Sequence, residues 1–125
     1  MDKKLLVVED NGTNRLILQH KLTKMGFGVS CVENGMEAIK FLQQFNIDLI
    51  LMDVSMPVMD GLEATKYIRE IETDISRMPI IGLSAHNHAE IRQKCFSAGM
   101  DDFLCKPVED QVMLAKINEA LAQRK

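Results

Sequence analysis

Residues 49–61 read LILMDVSMPVMDG. Four apolar residues stop abruptly on a carboxylate, Asp53, and Met56-Pro57 and Asp60-Gly61 then turn the chain. An apolar run that is too short for a helix and has no polar alternation is the pattern of a strand covered on both faces. Asp60, just before Gly61, reads as the N-cap of a helix over 61–72, where Leu62, Thr65, Ile68 and Ile71 fall at helical spacing.

The same unit recurs on both sides of this stretch. Further apolar runs are LLVV (5–8), VSCV (29–32), IIGL (80–83) and FLC (103–105). VSCV and FLC are the weakest, which suits strands near the sheet edges. Amphipathic stretches lie between the runs: 14–25 closing on Gly26, 36–45 after the turn Asn34-Gly35, and 88–98 closing on Gly99. Asp110 reads as the N-cap of a last helix through 122. Strands alternating with helices predict an α/β domain with a parallel sheet and right-handed crossovers. The 125 residues suffice for one domain, 1–125, and not for two.

Composition narrows the function. A net charge of −3 without a basic cluster argues against nucleic-acid binding by this chain. Its apolar runs are too short to cross a membrane. The opening MDKKLLVVED breaks on Glu9 and Asp10 after four apolar residues, so it does not read as a signal peptide. Three cysteines, Cys31, Cys95 and Cys105, lack metal-site spacing and read as buried small hydrophobes in a reducing compartment.

In open parallel sheets, functional groups gather beyond the carboxyl ends of the strands. There the chain places Glu9 and Asp10, Asp53, Ser84 with the small Ala85, and Lys106. Two unit charges at ~4 Å repel by about 4 kcal/mol at an effective dielectric near 20, so three carboxylates on one rim need an offset. A hard divalent cation with oxygen ligands, Mg2+, supplies it, and Lys106 adds a second positive charge. These are the parts of phosphoryl transfer, with Asp53 as nucleophile and Ser84 as a hydroxyl donor. Any one of these residues, taken alone, reads more simply as a cap, a turn or a solvated loop. Their coincidence on successive strand ends favours chemistry.

VVEDN, LILMDVSMPVMDG, IIGLSA and GMDDFLCKP, in this order and spacing, resemble the receiver domain of two-component response regulators over essentially the whole chain. That resemblance implies a flavodoxin-like, five-stranded parallel sheet of order 2-1-3-4-5. It implies Asp53 as phosphoacceptor, Asp10 as a direct Mg2+ ligand, Glu9 as a ligand through water, and the Ser55 backbone carbonyl as the remaining protein ligand. Lys106, before Pro107 in a cis bond, would contact the phosphoryl group, and Ser84 and Phe103 would form the switch. Ser55 and His86 stand where the family tunes the lifetime of the phosphate. Two features depart from the commonest pattern. The acidic pair is Glu-Asp rather than Asp-Asp, and the switch holds Ser and Phe rather than Thr and Tyr.

The resemblance also implies a histidine kinase or histidine phosphotransfer domain as partner. It implies output through the fourth helix, fifth strand and fifth helix, a face through which receivers can dimerise; a monomer is the default. MDVSMPVMDGLEATKYI and GLSAH are similar to receivers of hybrid sensor histidine kinases and phosphorelays, which puts this cytoplasmic part within a parent open to membrane anchorage. A stand-alone response regulator is the alternative. An aspartyl-phosphate phosphatase would carry a second Asp where Ser55 stands. A flavodoxin-like FMN carrier would not put Glu9-Asp10 against a phosphate. Independent enzymatic turnover is not expected beyond self-phosphorylation and autodephosphorylation.

Overall fold

The structure, a computed structural model, describes residues 3–54, 61–71, 78–85 and 89–123. Strands and helices alternate: β1 Lys4–Val8, α1 Gly12–Lys24, β2 Gly28–Val32, α2 Gly35–Gln44, β3 Leu49–Asp53, α3 Gly61–Ile71, β4 Ile80–Ser84, α4 Ala89–Ala98, β5 Asp102–Cys105 and α5 Asp110–Gln123. The strands form one parallel sheet of order β2-β1-β3-β4-β5. This is the expected topology, with the two weakest apolar runs at the edges.

Alternation along the strands divides the core into two layers. Leu6, Val8, Ile50, Met52, Ile80 and Phe103 pack on one face with Ala38, Ile39, Ala64, Ile68 and Cys95 of α2, α3 and α4. Leu5, Val7, Leu49, Leu51, Ile81, Leu83 and Leu104 pack on the other with Leu22, Met113 and Ile117 of α1 and α5. Every residue of β3 and β4 is buried, which is why their sequences show no polar alternation.

Several helix boundaries differ from expectation because capping side chains act earlier than the apolar pattern. Asn11 caps α1 by accepting the Asn14 N–H at 2.9 Å, so the helix begins at Gly12 rather than at 14. Asn34-Gly35 is not a separate turn: Asn34 accepts the Glu37 N–H at 2.9 Å and Gly35 is the first helical residue. Asp110 is likewise the first residue of α5, and the Met113 N–H bonds to the Glu109 carbonyl. Gly26 and Gly99 end α1 and α4 with φ of 101° and 114°, values that disfavour any side chain. The expected cap Asp60 and the turn at Met56-Pro57 lie outside the described residues.

The cysteine expectation needs correcting. Only Cys95 is fully buried, while Cys31 and Cys105 lie on the edge strands and are half-buried. An edge strand lacks a neighbour on one side and cannot enclose its side chains as β3 does.

At the amino end of the sheet, opposite the acidic rim, Arg69 joins four segments. Its guanidinium donates to the Gly99 carbonyl (2.9 Å), the Met78 carbonyl (2.7 Å) and Asp101 Oδ2 (2.8 Å). The same Asp101 oxygen accepts the Ile80 N–H at 2.9 Å. This fixes the ends of α3 and α4 against β4, leaving the opposite rim as the end where chemistry gathers.

Candidate functional site

The carboxyl ends of β1, β3, β4 and β5 meet at one rim, and each contributes a polar group. Glu9 follows β1 and continues its pairing, with its N–H bonded to the Val32 carbonyl at 3.1 Å. Asp53 closes β3 and Ser84 closes β4; both are buried. Lys106 follows β5, and its N–H donates to the Ser84 carbonyl at 2.7 Å, carrying the β4–β5 ladder to the rim. The Lys106–Pro107 bond is cis, as the resemblance implied.

Side-chain oxygens of Glu9, Asp10 and Asp53 all lie within 4.8 Å of one another. Glu9 is only 1% exposed. Its carboxylate is held by the Lys106 ammonium, with Nζ 3.2 Å from Oε2, and by the Asn11 N–H at 3.4 Å. Lys106 Nζ also lies 3.6 Å from Asp53 Oδ2. One ammonium thus bridges two buried carboxylates, partly offsetting both their desolvation and their repulsion. Asp10 is exposed and opens the cluster to water.

This donor set fits Mg2+. All three side chains offer hard oxygens, close enough to share one ion, and the exposed side leaves room for the waters magnesium retains. One lysine against three carboxylates leaves net negative charge for a cation to neutralise.

Two further residues shape the site: Arg15, which the sequence reading did not single out, and Gly61, expected only as part of a turn. Arg15, in the first turn of α1, donates from Nη1 to the Glu9 carbonyl (2.9 Å) and the Asp10 carbonyl (3.1 Å), and lies 3.7 Å from Glu33. It fixes the backbone that carries both acidic side chains. A cation in the first turn opposes the helix dipole, and that was the available signal. Gly61 opens α3 and donates its N–H to the Val54 carbonyl at 2.9 Å. A Cβ at Gly61 would run into the Asp53 carbonyl oxygen and lie 2.9 Å from Val54 Cα. Glycine therefore lets α3 approach the strand end that presents Asp53. Thr65 secures that approach by donating to the Gly61 carbonyl at 2.7 Å.

Phe103 lies in β5, 8% exposed and turned into the core layer of α4. Ser55 and His86 lie outside the described residues. Beside the rim, a cavity of about 380 Å³ opens between α1 and the start of α5. Ile17, Leu18, Pro107, Val108 and Met113 line it, with Glu9 and Lys106 at its polar end. Leu16 and Ile17 are exposed at 69% and 47%.

The response regulator receiver domain model matches residues 5–118. GacS, a sensor protein of Pseudomonas syringae pv. syringae, is 44% identical over 110 residues, 86% of this chain and 12% of its own length. A probable histidine kinase 1 of Oryza sativa subsp. indica is 37% identical over 150 residues, covering 96% of this chain. The chain spans only about 15% of that relative's length. Among solved structures, the receiver domain of sensor histidine kinase PA1611 from Pseudomonas aeruginosa PAO1 superposes with a TM-score of 0.90 at 33% identity, covering 98% of this chain and 100% of its own. That structure has a magnesium ion coordinated in its active-site cleft. The receiver domain of the Saccharomyces cerevisiae response regulator Ssk1, solved with the histidine phosphotransfer protein Ypd1, matches with a TM-score of 0.89 at 31% identity, covering 97% of this chain and 90% of that one.

Proposed function

The chain belongs to the response regulator receiver domain family, and on that premise we propose that it is one receiver domain whose Asp53 accepts a phosphoryl group from a phosphohistidine. The observation that carries this reading is the Lys106 ammonium standing between the buried Glu9 and Asp53 carboxylates at the end of three parallel strands.

In this reading an Asp53 oxygen attacks phosphorus in line while the P–N bond to the donor imidazole breaks. β3, buried throughout, holds the nucleophile rigid, so little reorganisation is needed. Lys106 stands beside Asp53 and meets negative charge on the transferred group, and the Ser84 hydroxyl donates to another of its oxygens. Glu9, Asp10 and Asp53, with the Ser55 carbonyl, would hold Mg2+, Glu9 through water. When bound, the ion supplies positive charge that makes the approach of a phosphoryl group to three carboxylates feasible. Ser55 and His86 tune the lifetime of the acyl phosphate.

Phosphorylation then draws Ser84 inward, Phe103 occupies the space beside it, and the surface of α4, β5 and α5 changes by a population shift. The partner is a histidine phosphotransfer domain or histidine kinase. The exposed Ile17, which lines a cavity shared with Glu9 and Lys106, supports docking there. That these relatives are a histidine kinase and a sensor protein far longer than this chain supports a sensor kinase as the parent. In this reading the parent is a hybrid kinase, and this part is cytoplasmic and monomeric. Among the described residues no helix is long and apolar enough to cross a membrane.

Intact mass after incubation with acetyl phosphate tests the reading. A single phosphate adduct is expected that requires Mg2+ and disappears in Asp53→Asn. An adduct that survives Asp53→Asn would assign the chemistry to another residue.

A further inference from the structure

Phe103 occupies an unusual part of the core. Its register partner on β4 is Gly82, so the neighbouring strand offers no side chain beside it. Met100 fills that space, with Sδ 2.5 Å and Cε 3.4 Å from where a Gly82 Cβ would stand. A methionine thioether is flexible and adapts to several shapes. This wall of the Phe103 site therefore yields more readily than a β-branched wall would.

Besides the apolar Ile91 and Cys95 of the same core layer, α4 brings a charge to the ring. Arg92 is an exposed residue of α4, and its guanidinium carbon lies 5.8 Å from the centre of the Phe103 ring. A cation within about 6 Å of an aromatic face is attracted to the ring quadrupole. Phenylalanine has no hydroxyl through which a partner could hold it, so its π-face is its only electrostatic handle. α4 is also the helix that follows β4, the strand ending in Ser84.

We propose that Arg92 is a positioning residue that holds the Phe103 ring in its buried position and so favours the phosphoryl-binding state of the rim. This rests on the reading of Ser84 and Phe103 as the switch. If the buried ring accompanies phosphoryl binding, linkage requires that whatever stabilises the buried ring also tightens binding at Asp53, by at most the same factor, because affinity follows the fraction of molecules with the ring buried. For an exposed cation over a ring that factor is about two- to fivefold.

The test uses the whole chain and two readouts. Ring resonances of 13C-labelled phenylalanine, and their relaxation by a soluble paramagnetic agent, report the buried-to-exposed ratio of Phe103 without any ligand. Titration with beryllofluoride and Mg2+ reports the affinity of the rim. Arg92→Ala is expected to lower the ring ratio by about two- to fivefold and the affinity in the same direction by a factor no larger than that, with Arg92→Lys recovering part of each. In a Phe103→Leu background, Arg92→Ala should leave beryllofluoride affinity unchanged. An unchanged ring ratio in Arg92→Ala overturns the proposal. So does an equal loss of affinity in the Phe103→Leu background, since Arg92 would then act on the rim by charge alone. If the wild type binds no beryllofluoride, the receiver reading fails instead, and the ring ratio still decides the role of Arg92.

Discussion

Lys106 Nζ lies 3.2 Å from Glu9 Oε2, joining residues 97 positions apart across the rim of the sheet. Glu9 is 1% exposed, so this ammonium is the main positive charge a deeply buried carboxylate meets. Leaving a buried charged group without its partner costs about 1–3 kcal/mol or more. Lys106→Met is therefore expected to lower stability by about that amount in urea unfolding without divalent ions. Mg2+ should narrow the gap, because a rim without the ammonium is more negative and binds the cation more tightly, and a ligand bound only by the folded state stabilises it in proportion to its affinity. Equal stability of the two proteins in chelator would show that Lys106 does not compensate Glu9.

Arg15 sets the backbone of the acidic pair without offering a ligand. Arg15→Ala removes both bonds to the Glu9 and Asp10 carbonyls. Outer-shell partners of this kind are worth about 10- to 100-fold in metal affinity, and the low end is expected here because removing a nearby cation works in the opposite direction. Calorimetric titration with Mg2+ checks this; affinity equal to or above the wild type would refute it.

Gly61 is the tightest steric constraint near Asp53. Gly61→Ala places a methyl group against the Asp53 carbonyl oxygen and Val54 Cα, and backbone cannot yield as a flexible side-chain end can. Overpacking of this type costs about 1–3 kcal/mol. Because the displaced group is the strand end carrying Asp53, phosphorylation by acetyl phosphate should slow as well. Gly82→Ala clashes with the adaptable end of Met100 and otherwise meets Val54 Cγ2 at an ordinary 3.5 Å, so it should cost less. Thermal unfolding of both variants orders them.

Burial pushes the Cys95 thiol above its ordinary 9.0. Burial also raises Cys31, and nearby Arg15 pulls it part of the way back. Both groups keep their protons in the folded state where the unfolded chain would lose them. Stability is thus unaffected by them below about pH 9 and falls as pH rises beyond it. Iodoacetamide should label Cys95 far more slowly in the native protein than in urea. Rapid native labelling of Cys95 would contradict its burial.

The rim was legible residue by residue because each member stands directly after an apolar run or, for Asp10, one residue beyond it. A strand that must shed its backbone at the sheet edge announces where its side chains emerge, so Glu9, Asp10, Asp53, Ser84 and Lys106 could be assembled from order alone. Arg15 and Gly61 could not. Their roles depend on which carbonyl a guanidinium reaches and how closely a helix start approaches a strand, distances that no spacing along the chain encodes. The caps Asn11 and Asn34 escape the apolar pattern for a related reason. Hydrophobic periodicity marks where a helix is buried, whereas a cap sits one turn earlier and contributes no apolar signal.

By itself, the sequence determined the alternation of strands and helices, the burial of β3 on both faces, the weaker edge strands and the acidic rim. All of these follow from local patterns of apolar and polar residues. The tertiary structure alone decided that one ammonium bridges Glu9 and Asp53, that Arg69 clamps the opposite end of the sheet, and that Arg92 lies over Phe103. Each of these is a through-space contact between elements far apart in the chain. Its energy depends on a few ångströms of separation and on exclusion of water, which exist only once the sheet has closed.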